Sequence, residues 1–71
     1  MDFPARLSLL RQGNHKTQKQ LALELGLSEI AIQNYENCRR KPTFDVLIAL
    51  ADYFDVSLDY LVGRSDDPTR R

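Results

Sequence analysis

The sequence predicts an all-α fold of five short helices. Apolar residues recur three and four positions apart along most of the 71 residues, which is helical rather than alternating spacing. Four of the five apolar runs follow a serine or threonine, and these residues cap helix N-termini well. A chain of this length holds one domain and buries only about 60% of the surface that its unfolded form exposes. We therefore expect a compact core without a deep substrate cavity.

The first helix is predicted over residues 3–12. The sequence Gly13-Asn14-His15 ends it, because glycine and asparagine adopt a positive φ at little cost. The second helix is predicted over Gln18–Leu25. Thr17 precedes it and Gln20 lies three residues further on, which is the Thr-x-x-Gln form of the capping box.

Gly26 interrupts the otherwise helix-forming segment QLALELGLSEIAIQNYE. Glycine carries no Cβ penalty in the left-handed conformation that often follows a helix, so we expect a tight turn here. Ser28 is then the N-cap of a third helix, Glu29–Glu36. Leu27 and Ile32 are placed to pack against each other across that cap. The segment is thus predicted to form two short helices joined by a turn.

A fourth helix is predicted between Thr43 and Asp55, and a fifth between Ser57 and Gly63. Leu58 and Leu61 of the fifth helix are expected to face inward. The apolar positions of the fourth helix are Phe44, Leu47, Ile48, Leu50, Ala51 and Phe54. Both helices follow a good N-cap, and Asp45 in the first turn of the fourth suits the positive end of the helix dipole.

Residues 1–63 are predicted to form the domain, and residues 64–71, RSDDPTRR, a polar flexible tail. No apolar run approaches the ~18 residues of a membrane span, and Asp2 argues against a secretory signal, so a cytoplasmic location is expected. Cys38 and His15 are the single cysteine and histidine, too few for a disulfide or a four-ligand zinc site. No metal, cofactor or catalytic site is predicted, and an enzyme is not expected.

The net charge is zero, but the charges are unevenly distributed. Residues 1–42 carry seven basic against four acidic side chains, a net charge of +3, and residues 43–71 carry three against six, a net charge of −3. Such a chain can present a positive face while it is neutral overall. Solvated helix faces would give the same counts, so charge alone does not identify a nucleic-acid partner.

The third helix is predicted to present a face poor in charge. If Ile32 and Tyr35 point into the core, the outer face and ends hold Ser28, Glu29, Ile30, Gln33, Asn34 and Asn37. A merely solvated face would more often carry Lys–Glu pairs four residues apart. Amides can bond adenine, a carboxylate can accept from the cytosine amine, and an aliphatic group can contact the thymine methyl. The face as a whole favours base reading, although each residue alone is ordinary for a surface.

The segment Thr17 to Gly63 resembles the phage-repressor, Cro-like helix-turn-helix family of DNA-binding regulators, which includes regulators of the xenobiotic-response-element type. The resemblance lies in Thr-Gln at the start of the second helix, then Leu-Ala, Leu-Gly, Tyr-Glu-Asn and the trailing LADYFDVSLDYLVG. With RLSLLRQ it covers residues 3–63. It implies a lambda-repressor-like five-helix fold whose third helix enters the major groove of double-stranded DNA.

The resemblance also implies the site residues. The base-facing positions of the family correspond to Ser28, Glu29, Ile30 and Gln33. Positions near the DNA backbone correspond to Gln18, Lys19, Asn34, Asn37, Arg39, Arg40 and Lys41. Arg11 and Glu36 match an ion pair that bridges the first and third helices. No cofactor or small-molecule ligand is implied.

Three residues depart from the family pattern. Cys38 stands where glycine is common, and it would cost of order 1 kcal/mol if its φ is positive. Lys16 replaces an apolar residue before the second helix, so a looser helix start is expected. Glu29 would be repelled by phosphates unless it meets a cytosine amine or a cation.

The expected function is a transcriptional regulator, a repressor, that binds a two-fold symmetric operator as a homodimer. The alternative is a protein-interaction module, antitoxin-like or adaptor, which the zero net charge, Glu29 and an exposed Ile30 favour. Dimer contacts could come from Tyr53, Leu58 or Tyr60, which could equally complete the core.

Overall fold

Five α-helices make up most of residues 1–70, the part of the chain that the computed structural model describes. The helices are α1 (Phe3–Gly13), α2 (Gln18–Leu25), α3 (Glu29–Glu36), α4 (Phe44–Phe54) and α5 (Leu58–Leu61). No strand occurs in this part of the chain, which measures 29 × 21 × 21 Å. The predicted all-α class with five helices is confirmed. None of the five helices is both long and apolar enough to cross a bilayer.

Each helix begins at a side-chain cap. The hydroxyls of Thr17, Ser28, Thr43 and Ser57 accept hydrogen bonds from backbone N–H groups three residues further on. The predicted capping box is complete, because the N–H of Thr17 also donates to the Gln20 side chain at 2.8 Å. α1 has a cap that was not predicted: the carboxylate of Asp2 accepts from the N–H of Ala5 at 3.2 Å.

One hydrophobic core joins the helices. Its fully buried side chains are Leu7, Leu21, Ile32, Leu50 and Leu61, one from each helix. Tyr35 and Ile32 both lie inside, as predicted for the third helix. Leu58 was predicted to face inward, but it is 38% exposed. α5 has only one turn, and Val56, in the turn before it, is buried instead.

Five residues among the described ones have a positive φ: His15, Gly26, Cys38, Asp55 and Gly63. The prediction placed the first of these turns at the wrong residue. Gly26 has a φ of +70°, as expected for the residue after α2. At the end of α1, however, the positive φ belongs to His15 (+58°) and not to Gly13 or Asn14. The N–H of Asn14 bonds back to the carbonyls of Leu10 and Arg11, which continues the helical turn and delays the reversal by one residue.

Residues 64–70 lie against α1, α4 and α5. The carbonyl of Pro68 accepts from the N–H of Ser57 at 3.0 Å. Asp66 pairs with Arg6 at 3.3 Å, and Arg70 pairs with Asp52 and Asp55. That this tail is flexible stays a prediction, and Arg71 lies outside the described residues.

Candidate nucleic-acid interface

One poorly solvated carboxylate joins α1, α2 and α3. Glu36, at the end of α3, accepts from Arg11 Nε at 2.7 Å and from Arg11 Nη2 at 3.1 Å. The side chains of Glu36 and Arg11 are only 6% and 13% exposed. This is the ion pair between the first and third helices that the resemblance implies. Because both carboxylate oxygens are bound in a poorly solvated place, the pair holds the two helices in one geometry.

The start of α2 joins the same network. The Gln18 side-chain Nε2 donates to Glu36 Oε1 at 3.2 Å, and Arg11 Nη1 donates to the carbonyl of Lys16 at 2.8 Å. Lys16 Nζ also pairs with Glu24 at 3.3 Å. The helix start that was expected to be loose is thus held by polar contacts, which take the place of the missing apolar one.

The outer face of α3 is open at its N-terminal end. Gly26 turns the chain away from α2, Ser28 caps α3, and burial of Ile32 and Tyr35 fixes which side faces the core. The base-facing set then divides by burial. Ser28, Glu29 and Ile30 are exposed, Ile30 to 66%, whereas Gln33 is half-buried. Their roles toward bases stay predictions.

The residues assigned to the DNA backbone divide in a similar way. Lys19, Asn37, Arg39, Arg40 and Lys41 are exposed, while Gln18 and Asn34 are half-buried. Asn34 supports the loop after α3 through its backbone, because its carbonyl accepts from the N–H of Arg39 at 2.9 Å. Cys38 has a φ of +61°, so the departure from glycine does place a side chain in left-handed backbone.

The cations of this surface are free to meet an anion. Within residues 1–70, the side chains of Lys19, Arg39, Arg40 and Lys41 form no ion pair. At the first turn of α2, the backbone N–H groups of Gln18 and Lys19 have no acceptor in the same part of the chain. Unpaired N–H groups at a helix N-terminus favour anions. The helix start lies at the C-terminal end of α3, where Gln18 bonds Glu36, and residues 39–41 follow that same end.

Two of the three candidate dimer residues have internal roles. The Tyr53 hydroxyl donates to Glu24 at 2.7 Å, which ties α4 to α2. This bond, more than the nearby Lys16, lowers the pKa of the Glu24 carboxyl, and it raises the pKa of Tyr53. Tyr60 lies under the guanidinium of Arg6, 3.7 Å from ring centroid to Cζ. Of the three candidate residues, Leu58 is the exposed one.

The buried Arg6 was not predicted. It is 4% exposed, stacks on Tyr60 and pairs with Asp66. The spacing held a signal, because Arg6 is three residues after Phe3 and four before Leu10, on the apolar side of α1. No group of three or more potential metal ligands converges among the described residues.

Relatives with known sequences match most of the chain. A helix-turn-helix family model matches residues 7–61. The chain is 41% identical over 63 residues to the uncharacterized HTH-type transcriptional regulator YobD of Bacillus subtilis, covering 89% of this chain and 56% of that protein. It is 38% identical over 64 residues to the cryptic phage CTXphi transcriptional repressor RstR of Vibrio cholerae, covering 90% and 57%. The chain thus spans about half the length of the curated relatives it matches.

Solved structures share the fold closely. The crystal structure of the P22 c2 repressor in complex with synthetic operator 9T superimposes with a TM-score of 0.84 and 26% identity, covering 92% of this chain and 98% of that one. A transcriptional regulator from Listeria innocua gives a TM-score of 0.81 and 34% identity, covering 86% and 57%. The expected lambda-repressor-like arrangement of five helices is therefore confirmed, and the chain belongs to the helix-turn-helix family.

Proposed function

We propose that this chain binds double-stranded DNA sequence-specifically and represses transcription. The observation that carries the proposal is the exposed start of α3, residues 28–30, on a domain that also presents unpaired cations and the free N–H groups of α2. Base edges would be met by Ser28, Glu29 and Ile30, and by the half-buried Gln33 one turn further along α3. Lys19 and residues 39–41 would contact phosphates and set the register.

The relatives support the same function. RstR is a transcriptional repressor, and the P22 c2 repressor was crystallised with an operator. We infer that the chain acts in the same way, in the cytoplasm where bacterial DNA is found. A domain of this size makes few phosphate contacts, so binding as a two-fold dimer would double them. The half-sites would then lie about 10 bp apart, centre to centre.

Selection from a random pool of DNA duplexes tests the proposal. We expect the bound sequences to share a two-fold symmetric consensus with half-sites about one helical turn apart. With 6–10 phosphates neutralised by a dimer, the affinity should fall roughly 10³–10⁵-fold between 50 and 200 mM salt. A pool that stays random after repeated rounds would contradict sequence-specific binding.

A protein-interaction module is the second candidate. Ile30 favours it, because this large apolar side chain is 66% exposed on the face in question. Glu29 beside it carries a negative charge that phosphates repel. Retention on random duplex DNA at low salt separates the two candidates. A pure interaction module would pass through without retention, whereas the proposed regulator would be held by its cations.

A further inference from the structure

We propose that Gln18 is a positioning residue, whose side-chain bond to Glu36 holds α3 at its angle to α2. This inference rests on the proposed function, because it assigns a role within the DNA-facing surface. It adds to the role that the family resemblance implies for Gln18, which is a phosphate contact through the amide and the helix end.

The carboxylate of Glu36 is the reason. It is 6% exposed, and within residues 1–70 it has three side-chain donors: Arg11 Nε, Arg11 Nη2 and Gln18 Nε2. A buried carboxylate needs its oxygens satisfied by donors. Arg11 Nη1 is already used by the Lys16 carbonyl at 2.8 Å. Withdrawing Gln18 would therefore take one of these three donors from a buried charge.

The bond also fixes how the amide is turned. Only the nitrogen of a glutamine side chain can donate, and its oxygen can only accept. The nitrogen carries two hydrogens, so one N–H bonds Glu36 and the other stays available to a phosphate. The donors that remain at the start of α2 are this second side-chain N–H and the backbone N–H groups of Gln18 and Lys19.

The position of the bond explains why it would matter for sequence reading. Gln18 is the first residue of α2 and Glu36 is the last residue of α3. Gly26 connects the two helices at their other ends. The Gln18–Glu36 bond therefore closes the helix-turn-helix at the side away from the turn. Loss of the bond would let α3 shift against α2, and this would change which base edges its side chains reach.

The test compares Gln18→Met with Lys19→Met. Methionine keeps the length of glutamine but donates no hydrogen bond. In the free protein we expect Gln18→Met to lower the melting temperature by about 4–8 °C. On DNA we expect the ratio of affinities for the selected operator and for singly substituted operators to change by at least about twofold. Lys19→Met, on the same turn, should leave the melting temperature and that ratio unchanged and weaken all duplexes equally.

A double-mutant cycle with Glu36→Gln adds a second measurement. The effects of Gln18→Met and Glu36→Gln on the affinity ratio should be non-additive, because both remove the same contact. If Glu36→Gln does not fold, the comparison of Gln18→Met with Lys19→Met decides alone. Equal weakening of every duplex by Gln18→Met would overturn the positioning role and leave Gln18 with a phosphate contact alone. A wild-type chain that selects no consensus would instead remove the proposed function itself.

Discussion

Cys38 adopts a left-handed φ of +61° in the loop that leaves α3. This conformation brings the Cβ of an L-residue too close to the backbone, at a cost of about 1–2 kcal/mol, and glycine avoids the cost. The cysteine is exposed and unpaired in the part of the chain that is described. We therefore expect Cys38→Gly to raise the free energy of unfolding by about 1 kcal/mol, measured by urea denaturation of the free protein.

Cys38→Ala is the matched control for this prediction. Alanine removes the thiol but keeps the Cβ, so the strain should persist and the midpoint of denaturation should stay close to wild type. An equal gain from both variants would show that the thiol, and not the backbone conformation, lowers the stability. No gain from glycine would mean that the flexibility it adds to the unfolded chain outweighs the relief of strain.

At the scale of elements, the bond between Tyr53 and Glu24 ties α4 to α2 and should be visible as a pH dependence. It lowers the pKa of Glu24 below the ordinary value of 4.5. A depressed carboxyl pKa adds stability that is present above 4.5 and is lost as the pH falls through the folded-state pKa. We expect Tyr53→Phe to melt below wild type near neutral pH, and the difference to shrink in acid.

The pKa of Glu24 gives the direct measurement. A carboxyl titration followed by NMR should show the pKa of Glu24 rising in Tyr53→Phe, because the hydrogen bond from Tyr53 is the largest cause that lowers it. An unchanged pKa in the variant would mean that the phenol does not hold the carboxylate in solution.

The tail connects to α1 through the pair of Arg6 and Asp66, and this connection can be tested separately. Arg6 is buried, and Asp66 is its ion-pair partner within residues 1–70. The side chain of Asp66 is fully exposed, so water weakens this pair, but its removal still leaves the buried guanidinium of Arg6 without its ion-pair partner in this part of the chain. We expect Asp66→Asn to lower the melting temperature, measured by circular dichroism.

The control is the same change in an Arg6→Met background. Methionine can fill the space over Tyr60 without a charge, so Asp66→Asn should then have no effect. A loss of the same size in both backgrounds would show that Asp66 acts through another contact.

The elements differ in how far their sequences predict them. The bounds of α2 and α3 follow from caps and from Gly26, which act within three or four residues. The burial of Arg6 and the exposure of Leu58 do not follow in this way, because both depend on which distant element packs alongside. Gln18 belongs to the second group: its sequence position indicates a helix start, but its bond to Glu36 exists only once α3 has folded against α2.

At the scale of the whole molecule, the uneven charge along the chain puts unpaired basic side chains and most acidic side chains on different elements. The unpaired cations of residues 39–41 follow α3, on the surface proposed to face DNA. In the acidic half, Arg70 pairs with Asp52 and Asp55, and residues 64–70 contain Asp66 and Asp67. A neutral molecule built in this way can orient its basic surface toward an anionic partner before contact.

The salt dependence of DNA binding tests this separation. Arg39→Ala removes a cation from the proposed phosphate set, so binding should weaken on every duplex. The slope of log affinity against log salt should also fall in magnitude by about 1 per protomer, because one counterion fewer is released. Arg64→Ala is the matched control, an exposed arginine in the acidic half whose loss should leave the slope unchanged. If the two variants lower the slope equally, the net charge of the chain governs binding. Residues 39–41 would then not form a specific phosphate-binding loop.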